Sequence, residues 1–468
     1  MIYDLAIIGG GSAGLSIAAA AAQFGEKVVL FEKAEMGGDC LNVGCVPSKA
    51  LIAAAKYAQA QRASAPYGIA AVEPKVDYAK VMDHVHGVIA KIAPFDSVER
   101  FEGLGVRVVQ AAAKFTSPKN IEANGENFEA RRFVIATGSR AGVPPIPGLA
   151  DVPYLTNETL FKNRKMPSHL IVIGGGPIGL EMAQAHRRLG ARVTVLEAFK
   201  FMAKDDSELS AIVIDSLRSE GVDLRENISI ERVSKSKTGV AVTLKSGEEI
   251  SASHILVAAG RAPNIEGLNL EAAGIEYDKR GVKVDAGLRS TNRYVYAAGD
   301  IAGGLQFTHV AGYHAGLIIR NTLFRLPVKN RTDIIPWVTY TDPELANVGL
   351  SESDARKQYG NAVKVLRWSF AENDRAQAEG KTKGLIKVIA GKRGVILGAG
   401  IAGPQAGELI APFVLAVTQK IKISAFANLV LPYPTLSEVG KRAAITNYAG
   451  LAQKPATRRL LGLLKIFG

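Results

Sequence analysis

The chain contains two cysteines, Cys40 and Cys45, in the segment GGDCLNVGCVPSK. Two neighbouring thiols of this kind favour a pair that cycles between dithiol and disulfide. In a regular helix, residues five apart are separated by a rise of about 7.5 Å. A disulfide needs Cα atoms about 4.4 to 6.8 Å apart, so a bridge requires a distorted first turn, which Gly44 and Pro47 permit. A pair of buried free thiols is the alternative.

A second chemical signal is a glycine-rich segment that occurs twice. Residues 5–14 read LAIIGGGSAG, and residues 171–179 read IVIGGGPIG. In each copy an apolar strand leads into a G-x-G-x-x-G turn, and then into a helical stretch and a second strand. That second strand ends on an acid, Glu32 or Glu197, and the first glycine of each turn lies 23 residues before its acid.

These glycines have separate tasks in a dinucleotide site. The first makes the turn, the second lets the backbone approach a pyrophosphate, and the third lets the helix pack on the strand. The helix N-terminus supplies N–H donors. The acid accepts ribose hydroxyls and repels a 2′-phosphate. We therefore predict two dinucleotide sites, formed by Gly9, Gly11, Gly14 and Glu32, and by Gly174, Gly176, Gly179 and Glu197.

The elements that position these residues follow from the rest of the chain. Strand-plus-glycine signals recur at residues 133–138, 255–260 and 294–300, and VPPIPG at 143–148 reads as a linker. From about Pro336 alternating runs such as residues 386–389 indicate an α+β domain. We predict an α/β fold with two Rossmann-like dinucleotide-binding domains plus a C-terminal domain. The first comprises 1–148 and 269–335, the second 149–268 and the third 336–468.

Composition narrows the function further. With 57 basic and 44 acidic residues the net charge is +13, and 47% hydrophobic residues are typical of a globular protein. The basic residues are scattered, so we predict no nucleic-acid partner. Two cysteines are too few for a structural zinc site, and no metal site is predicted. The uncharged residues 5–25 contain a glycine cluster unsuited to a membrane helix, so we expect a soluble, cytoplasmic protein.

Taken together, the motifs resemble the class I pyridine nucleotide-disulfide oxidoreductases, the flavoprotein group of dihydrolipoamide dehydrogenase, glutathione reductase and mercuric reductase. The resemblance spans essentially the whole chain. It rests on GGGSAG, GGDCLNVGCVPSK, GGGPIGLE, YAAGD and, near the C-terminus, PTLSE. It implies FAD on the first glycine turn, a nicotinamide cofactor on the second, and a homodimer formed through the C-terminal domain.

The same resemblance implies roles for individual residues. Cys45 would face the flavin as a thiolate, and Cys40 would exchange with the substrate. Lys49 and Glu181 match a pair that relatives place beside the flavin, where the ammonium favours negative charge. Glu197 favours NADH over NADPH. Further cofactor contacts are assigned to Ala113, Gly138 and Asp300 for FAD, and to Gly260 at the end of the second dinucleotide unit.

One position departs from the family pattern. Disulfide-exchanging relatives have a histidine two residues before the threonine of PTLSE, oriented by a glutamate, whereas this chain has Tyr433, followed by Glu438. A phenol with an ordinary pKa of about 10 is a poor proton acceptor at neutral pH. Mercuric reductase has a tyrosine there, but it also uses a C-terminal cysteine pair that this chain lacks. A core tyrosine is the other interpretation.

The leading prediction is an enzyme that moves electrons between NADH and a disulfide or dithiol substrate through Cys40 and Cys45. The alternatives are a mercuric reductase-like or quinone-type acceptor reductase with vestigial thiol exchange, and a redox-regulated FAD-binding protein without turnover. In the basic tail 458–467, Leu460, Leu461, Leu464 and Phe467 share a helical face. We expect this face to cover the protein's own surface or a dimer partner, with weak membrane contact as the alternative.

Overall fold

The structure is a computed structural model that describes residues 1–237, 239–451 and 453–467. The chain forms two compact units. The first comprises Met1–Phe199 and Val222–Thr332, and the second comprises Lys200–Gly221 and Asp333–Gly468. Among the described residues, no helix is long and apolar enough to span a membrane.

The strands and helices of the described residues follow in chain order. Up to residue 160 they are β1 (Ile2–Ile8), α1 (Ser12–Gln23), β2 (Val28–Phe31), α2 (Gly38–Asn42), α3 (Cys45–Arg62), α4 (Tyr78–Ile92), α5 (Val98–Gly103), β3 (Arg107–Val109), β4 (Lys114–Ser117), β5 (Asn120–Ala123), β6 (Glu126–Ile135), β7 (Ser139–Ala141) and α6 (Asn157–Leu160). Up to residue 263 they are β8 (His169–Ile173), α7 (Pro177–Leu189), β9 (Arg192–Leu196), α8 (Ser207–Ser219), β10 (Asp223–Arg225), β11 (Ile230–Ser236), β12 (Gly239–Leu244), β13 (Glu249–Ala252), β14 (His254–Val257) and β15 (Arg261–Pro263).

The remaining elements lead to the C-terminal tail. They are β16 (Tyr277–Asp278), β17 (Gly281–Val282), β18 (Val295–Ala297), α9 (Thr308–Thr322), β19 (Trp337–Thr339), β20 (Glu344–Gly349), α10 (Glu352–Tyr359), β21 (Lys364–Ser369), α11 (Asp374–Ala378), β22 (Leu385–Ala390), β23 (Ile396–Gly403), α12 (Ala406–Leu409), α13 (Ala411–Gln419), α14 (Ile423–Ala427), α15 (Glu438–Thr446) and α16 (Pro455–Leu464).

The first unit is built around two sheets with parallel strands. The larger has the order β3-β2-β1-β6-β5-β4, with β18 also paired to β6, and the smaller has the order β10-β9-β8-β14. All four residues of β2 and all five of β8 are buried, as expected for strands covered on both faces. Both glycine-rich turns therefore leave the carboxyl end of a central strand, β1 or β8, which is where open α/β sheets bind ligands. The predicted α/β fold is confirmed.

The second unit contains one antiparallel sheet with the order β19-β20-β23-β22-β21. Helices α12, α13 and α15 pack on this sheet, as does α8. The sequence placed α8 inside the second dinucleotide domain, but the structure groups residues 200–221 with the C-terminal part of the chain. The apolar pattern of α8 does not reveal this, because an amphipathic helix is buried equally well against either kind of sheet.

A buried lysine joins α8 to this sheet. Lys387, in β22, is 4% exposed, although it interrupts an apolar run. Its Nζ lies 2.7 Å from Asp206 Oδ2, 2.8 Å from Glu208 Oε2 and 2.9 Å from Glu352 Oε2. Burial alone would lower the pKa of Lys387, but hydrogen bonds to these carboxylates raise it. Since Asp206 also caps the start of α8, the lysine fixes that helix end on the sheet.

The C-terminal helix α16 differs from the rest of this unit, because none of its described residues is buried. Leu460 is 56% exposed and Phe467, just beyond the helix, is 86% exposed. Within the part of the chain that the structure describes, the expected cover of the protein's own surface is therefore not formed. The two other interpretations, a partner subunit and a membrane, stay predictions.

We predict that Lys387→Ala lowers the free energy of unfolding by about 3–5 kcal/mol, because it leaves clustered carboxylates without their buried cation. Chemical denaturation at neutral pH measures this. Lys392→Ala, at an exposed lysine in the turn between β22 and β23, is the control and should change it by less than about 0.5 kcal/mol. Equal effects of the two substitutions would contradict the role of Lys387.

The same network predicts an acid transition. Burial acts to raise the pKa of Glu352, but Lys387 and Arg356 lower it from 4.5 to about 2. The stability that this carboxylate contributes is present above its ordinary pKa and is lost as the pH falls towards 2. The difference in unfolding free energy between wild type and Lys387→Ala should therefore shrink over this range. A constant difference would show that Glu352 is not coupled to Lys387.

Candidate active site

The first glycine turn is shaped by contacts that only glycine allows. Gly9 follows β1 with a φ of +113°, and a Cβ there would lie 2.4 Å from the carbonyl oxygen of Ala136. A Cβ on Gly14 would lie 1.9 Å from the carbonyl oxygen of Gly9. The turn, the end of β6 and the start of α1 are thus packed backbone to backbone.

The second turn repeats this geometry. Gly174 also has a φ of +113°, with a Cβ position 2.4 Å from the carbonyl oxygen of Ala258. Gly11 and Gly176 precede α1 and α7, and no side chain of the described residues caps either helix. The free N–H groups and the positive end of each helix suit a pyrophosphate. Both turns therefore fit the dinucleotides that the sequence predicts.

The two acids are also held alike. Glu32 accepts hydrogen bonds from the N–H of Gly10 at 2.6 Å and of Ala34 at 2.7 Å. Glu197 accepts from the N–H of Gly175 at 2.6 Å and of Phe199 at 2.9 Å. A carboxylate has about four acceptor positions. Each acid is thus fixed by the backbone and keeps capacity for ribose hydroxyls.

The other predicted cofactor residues lie at or near strand ends of the first unit. Gly138 and Gly260 follow β6 and β14 with positive φ, and Ala113 is buried immediately before β4. Asp300, after β18, accepts a hydrogen bond from Ser139 Oγ at 2.5 Å.

His314 supports the turn that carries Asp300. The N–H of Gly299 donates to His314 Nδ1 at 3.2 Å. Burial lowers the pKa of His314 to about 4, so the ring is neutral and accepts this bond at physiological pH. Sequence reasoning assigned this histidine no role, because nothing in its spacing connects α9 with the preceding turn.

The redox cysteines lie on two successive helices. Cys40 is in α2, and Cys45 is the first residue of α3. The chain leaves the helical conformation at Val43 and Gly44, where a Cβ on the glycine would lie 2.7 Å from the carbonyl oxygen of Asp39. The sequence predicted a distorted first turn, and the structure places the distortion between the two helices. Both residues are free thiols, the reduced form of the pair.

The two thiols differ in their ionisation. A hydrogen bond from Cys40 lowers the pKa of Cys45 to about 6 against the opposing effect of burial, and the same bond raises the pKa of Cys40. Thr308 Oγ1 lies 3.4 Å from Cys45 Sγ and lowers its pKa further, as does the charge of Lys49. Thr308 begins α9, so the positive end of that helix also favours a thiolate. The surroundings therefore favour a thiolate on Cys45 and a protonated thiol on Cys40.

Lys49 and Glu181 form an ion pair close to the cysteines. Lys49 Nζ lies 3.0 Å from Glu181 Oε2, and Glu181 is 5% exposed. Lys49 follows Cys45 by one helical turn, so both lie on the same face of α3. The pair connects α3, which carries the cysteine motif, to α7, which carries the second glycine turn. These residues are thus not solvated surface charges.

Four further residues at this site, Asp39, Ser139, Asn157 and Arg261, were not identified from the sequence. Asp39 Oδ1 accepts a hydrogen bond from Asn157 Nδ2 at 3.0 Å, and Asp39 Oδ2 lies 3.0 Å from Arg261 Nη2. Arg261 also donates to Ser139 Oγ at 2.7 Å. The only signal in the sequence was an acid directly before Cys40, since the partners are more than a hundred residues away.

Tyr433 and Glu438 lie in the second unit. The Tyr433 side chain is 69% exposed, so it is not a core residue, and its hydroxyl donates to Asp374 Oδ2 at 2.8 Å. This bond raises the pKa of Tyr433, and the charge of Glu438 adds a smaller rise. The carboxylate that orients the phenol is therefore Asp374, which the sequence did not indicate. Asn373 fixes this arrangement by donating to the carbonyl of Thr435 at 3.0 Å.

No group of His, Cys, Asp and Glu residues in the described part of the chain is arranged to hold a metal ion. Comparison with known proteins identifies the family of the chain. Residues 3–315 match the family model described as pyridine nucleotide-disulphide oxidoreductase, and residues 335–444 match the dimerisation domain of that family.

The chain belongs to the pyridine nucleotide-disulphide oxidoreductase family. Dihydrolipoyl dehydrogenase from Thermus scotoductus is 38% identical over 452 residues, covering 93% of this chain and 95% of the relative. Mercuric reductase from Bacillus cereus is 34% identical over 451 residues, covering 95% of this chain and 71% of the relative. Among solved structures, LpdA from Mycobacterium tuberculosis has a TM-score of 0.87 at 27% identity, covering 95% of this chain and 100% of that one.

The family predicted from the motifs is therefore confirmed. Its members are oxidoreductases that use FAD and a nicotinamide cofactor, and the C-terminal part of this chain is their dimerisation domain, which supports a homodimer. The roles of individual residues, the domain boundaries and the cytoplasmic location stay predictions.

We predict different spectra for the two cysteine variants of this oxidoreductase. Cys45→Ser should abolish the long-wavelength band of a thiolate beside oxidised flavin. Cys40→Ser should leave Cys45 as a standing thiolate and increase that band, because the ionised sulfur is Cys45. Anaerobic absorption spectra of the FAD-loaded variants measure this. Identical spectra for the two variants would contradict the assignment of their roles.

Proposed function

We propose that the protein is an NADH-dependent flavoprotein reductase that passes two electrons through Cys40 and Cys45 to an external disulfide or another acceptor. The observation that carries this proposal is the placement of the Cys40–Cys45 pair at the break between α2 and α3, with Thr308 Oγ1 3.4 Å from Cys45 Sγ in surroundings that favour a thiolate on Cys45, in the same unit as both nucleotide turns. A thiol pair kept only for structure has no need of a thiolate.

FAD on the first glycine turn would supply hydride acceptance and two-electron storage between NADH and the cysteines. The two cysteines determine where the proton of the hydride goes. Reduction of the disulfide breaks the S–S bond, and a hydride brings two electrons and one proton. NADH plus disulfide thus gives NAD⁺, one thiolate and one thiol. The proton belongs on Cys40, whose pKa is raised, and Cys45 remains ionised.

Lys49 serves the same charge balance. Its ammonium stabilises negative charge that develops on its neighbours during reduction, including the Cys45 thiolate. Glu181 is buried and fixes the direction of the lysine through their ion pair. Anaerobic titration with NADH separates this enzyme from an FAD-binding protein without turnover, because only an enzyme reduces its flavin or forms the thiolate band.

We predict a preference for NADH over NADPH of at least about tenfold in kcat/KM, because a 2′-phosphate beside Glu197 costs upward of about 1.4 kcal/mol. Glu197→Gln removes the charge and should reduce this ratio. Glu231→Gln, at an exposed acid of the same unit, should leave it unchanged. Initial rates with each cofactor measure the ratio. Equal rates in the wild type would contradict the proposed specificity.

Tyr433 bears on the choice of acceptor. Attack of a dithiol substrate on the disulfide requires a base with a pKa near the ambient pH. The hydrogen bond to Asp374 moves the pKa of Tyr433 upward and so makes the phenol a still weaker base. This favours a second candidate, in which the acceptor is a metal ion or a quinone that needs no thiol deprotonation. Similar proteins named mercuric reductase are consistent with that candidate.

We predict weak dihydrolipoamide turnover at pH 7 that rises steeply towards alkaline pH, while flavin reduction by NADH stays fast. Tyr433→His supplies a base and should raise this turnover by at least an order of magnitude, within the range of about 10² to 10⁴ for general base catalysis. Tyr433→Phe is the control, since it removes the hydroxyl without adding a base. Efficient wild-type turnover at pH 7 would show that another group takes the proton.

A further inference from the structure

Asp39 is a charged residue beside the redox pair that the proposed mechanism leaves unused. It directly precedes Cys40 in α2, and it is held from two sides by Asn157 and Arg261. These partners come from α6 and β15, so three separate segments converge on one carboxylate. The carboxylate also lies next to the residue before Cys45, because a Cβ on Gly44 would stand 3.0 Å from Asp39 Oδ2.

Arg261 is shared between two carboxylates. Its Nη2 pairs with Asp39, and its Nε lies 3.6 Å from Asp300 Oδ2. Ser139 completes the network, since it accepts from Arg261 Nε and donates to Asp300. Because one cation faces two acids, the cluster of Asp39, Arg261 and Asp300 carries a net negative charge when both acids are ionised. Arg261 thus only partly neutralises Asp39.

We propose that Asp39 is a positioning residue that holds negative charge beside Cys40 and Cys45 and so makes their dithiol form a stronger reductant. The inference rests on the proposed function only in that the pair must cycle. A fixed anion disfavours a second anion nearby, so it opposes the Cys45 thiolate. Since ionisation of Cys45 stabilises the reduced pair, opposing it lowers the reduction potential and favours the transfer of electrons to an acceptor.

The other groups around Cys45 act in the opposite direction. Within the described residues, Cys40 in α2, Lys49 in α3 and Thr308 in α9 favour the thiolate, whereas burial and Asp39 oppose it. Asp39 also raises the pKa of Cys40. Burial raises the pKa of Asp39 itself, and Arg261 and Asn157 act to lower it. The ionisation of Cys45 is thus a balance in which Asp39 is the opposing charged side chain.

The test measures the ionisation of Cys45 without any turnover. In FAD-loaded Cys40→Ser protein, reduced with a phosphine, the rate of alkylation by iodoacetamide is followed against pH. Adding Asp39→Asn should lower the pH midpoint by roughly 0.5 to 1 unit, the expected effect of removing one nearby like charge. Asp39→Glu in the same background keeps the charge and should return the midpoint towards that of Cys40→Ser alone.

Controls separate charge from structure. Asp96→Asn neutralises another partly buried carboxylate and should not move the midpoint. Asp96 lies close to Gly37, which precedes Asp39 by two residues. Asp39→Thr is a second neutral variant in case Asp39→Asn does not fold. FAD content and thermal unfolding of each variant report on folding. A merely structural role would change these two measurements and leave the midpoint in place.

A second measurement uses the intact pair. With both cysteines present, Asp39→Asn should raise the two-electron reduction potential, and a tenfold change in the dithiol-to-disulfide ratio corresponds to about 30 mV. An unchanged or raised alkylation midpoint in Asp39→Asn, or no return with Asp39→Glu, would overturn the inference. Failure of NADH to reduce the wild-type pair would instead count against the proposed function, since the alkylation test needs no NADH.

Discussion

The influence of Cys40 on the ionisation of Cys45 is the interaction on which the rest of the active site depends. It favours a reduced pair in which the two sulfurs hold one proton between them. A hydride brings the same number of protons to the disulfide. Between the two cysteines the chain leaves the helical conformation at Gly44, where the carbonyl of Asp39 excludes a side chain. Thr308 and Lys49 then stabilise the resulting thiolate from α9 and α3. The surrounding structure thus maintains an asymmetry that two adjacent thiols lack in water.

Sequence alone predicted the features that depend on local spacing. The sequence reveals the roles of Gly9 and Gly174 because each passes within van der Waals contact of a neighbouring strand, and no other residue fits there. The cysteine motif is likewise recognisable, because Cys40, Gly44 and Cys45 lie within one short segment. The sequence does not reveal the contacts of Thr308 with Cys45 and of Arg261 with Asp39, because they join residues 263 and 222 positions apart. Only the tertiary fold brings such segments together, and no single-sequence pattern encodes that proximity.

The same limit explains two differences in the second unit. The phenol of Tyr433 bonds to Asp374, 59 residues earlier, a partner that the motif around position 433 does not indicate. Glu438 begins α15, and its position is fixed by that helix rather than by the tyrosine. Helix α8 was assigned by chain order to the second nucleotide domain, yet the buried ion pairs of Lys387 place it on the C-terminal sheet. In both cases a polar contact between residues far apart in the sequence fixes a position that the local sequence did not indicate.

The charges around the thiol pair and the chemistry of Tyr433 lead to one conclusion about direction. A reductase must move electrons outwards, and this requires a dithiol that is readily oxidised. Lys49 and Thr308 stabilise the thiolate, and this alone would make the dithiol a weaker reductant. The carboxylate of Asp39, under the proposal made above, offsets part of that effect. Under the proposed function, a phenol instead of a base at position 433 would give a thiol substrate little help in losing its proton. We therefore propose that the enzyme donates electrons to an acceptor rather than oxidising a dithiol.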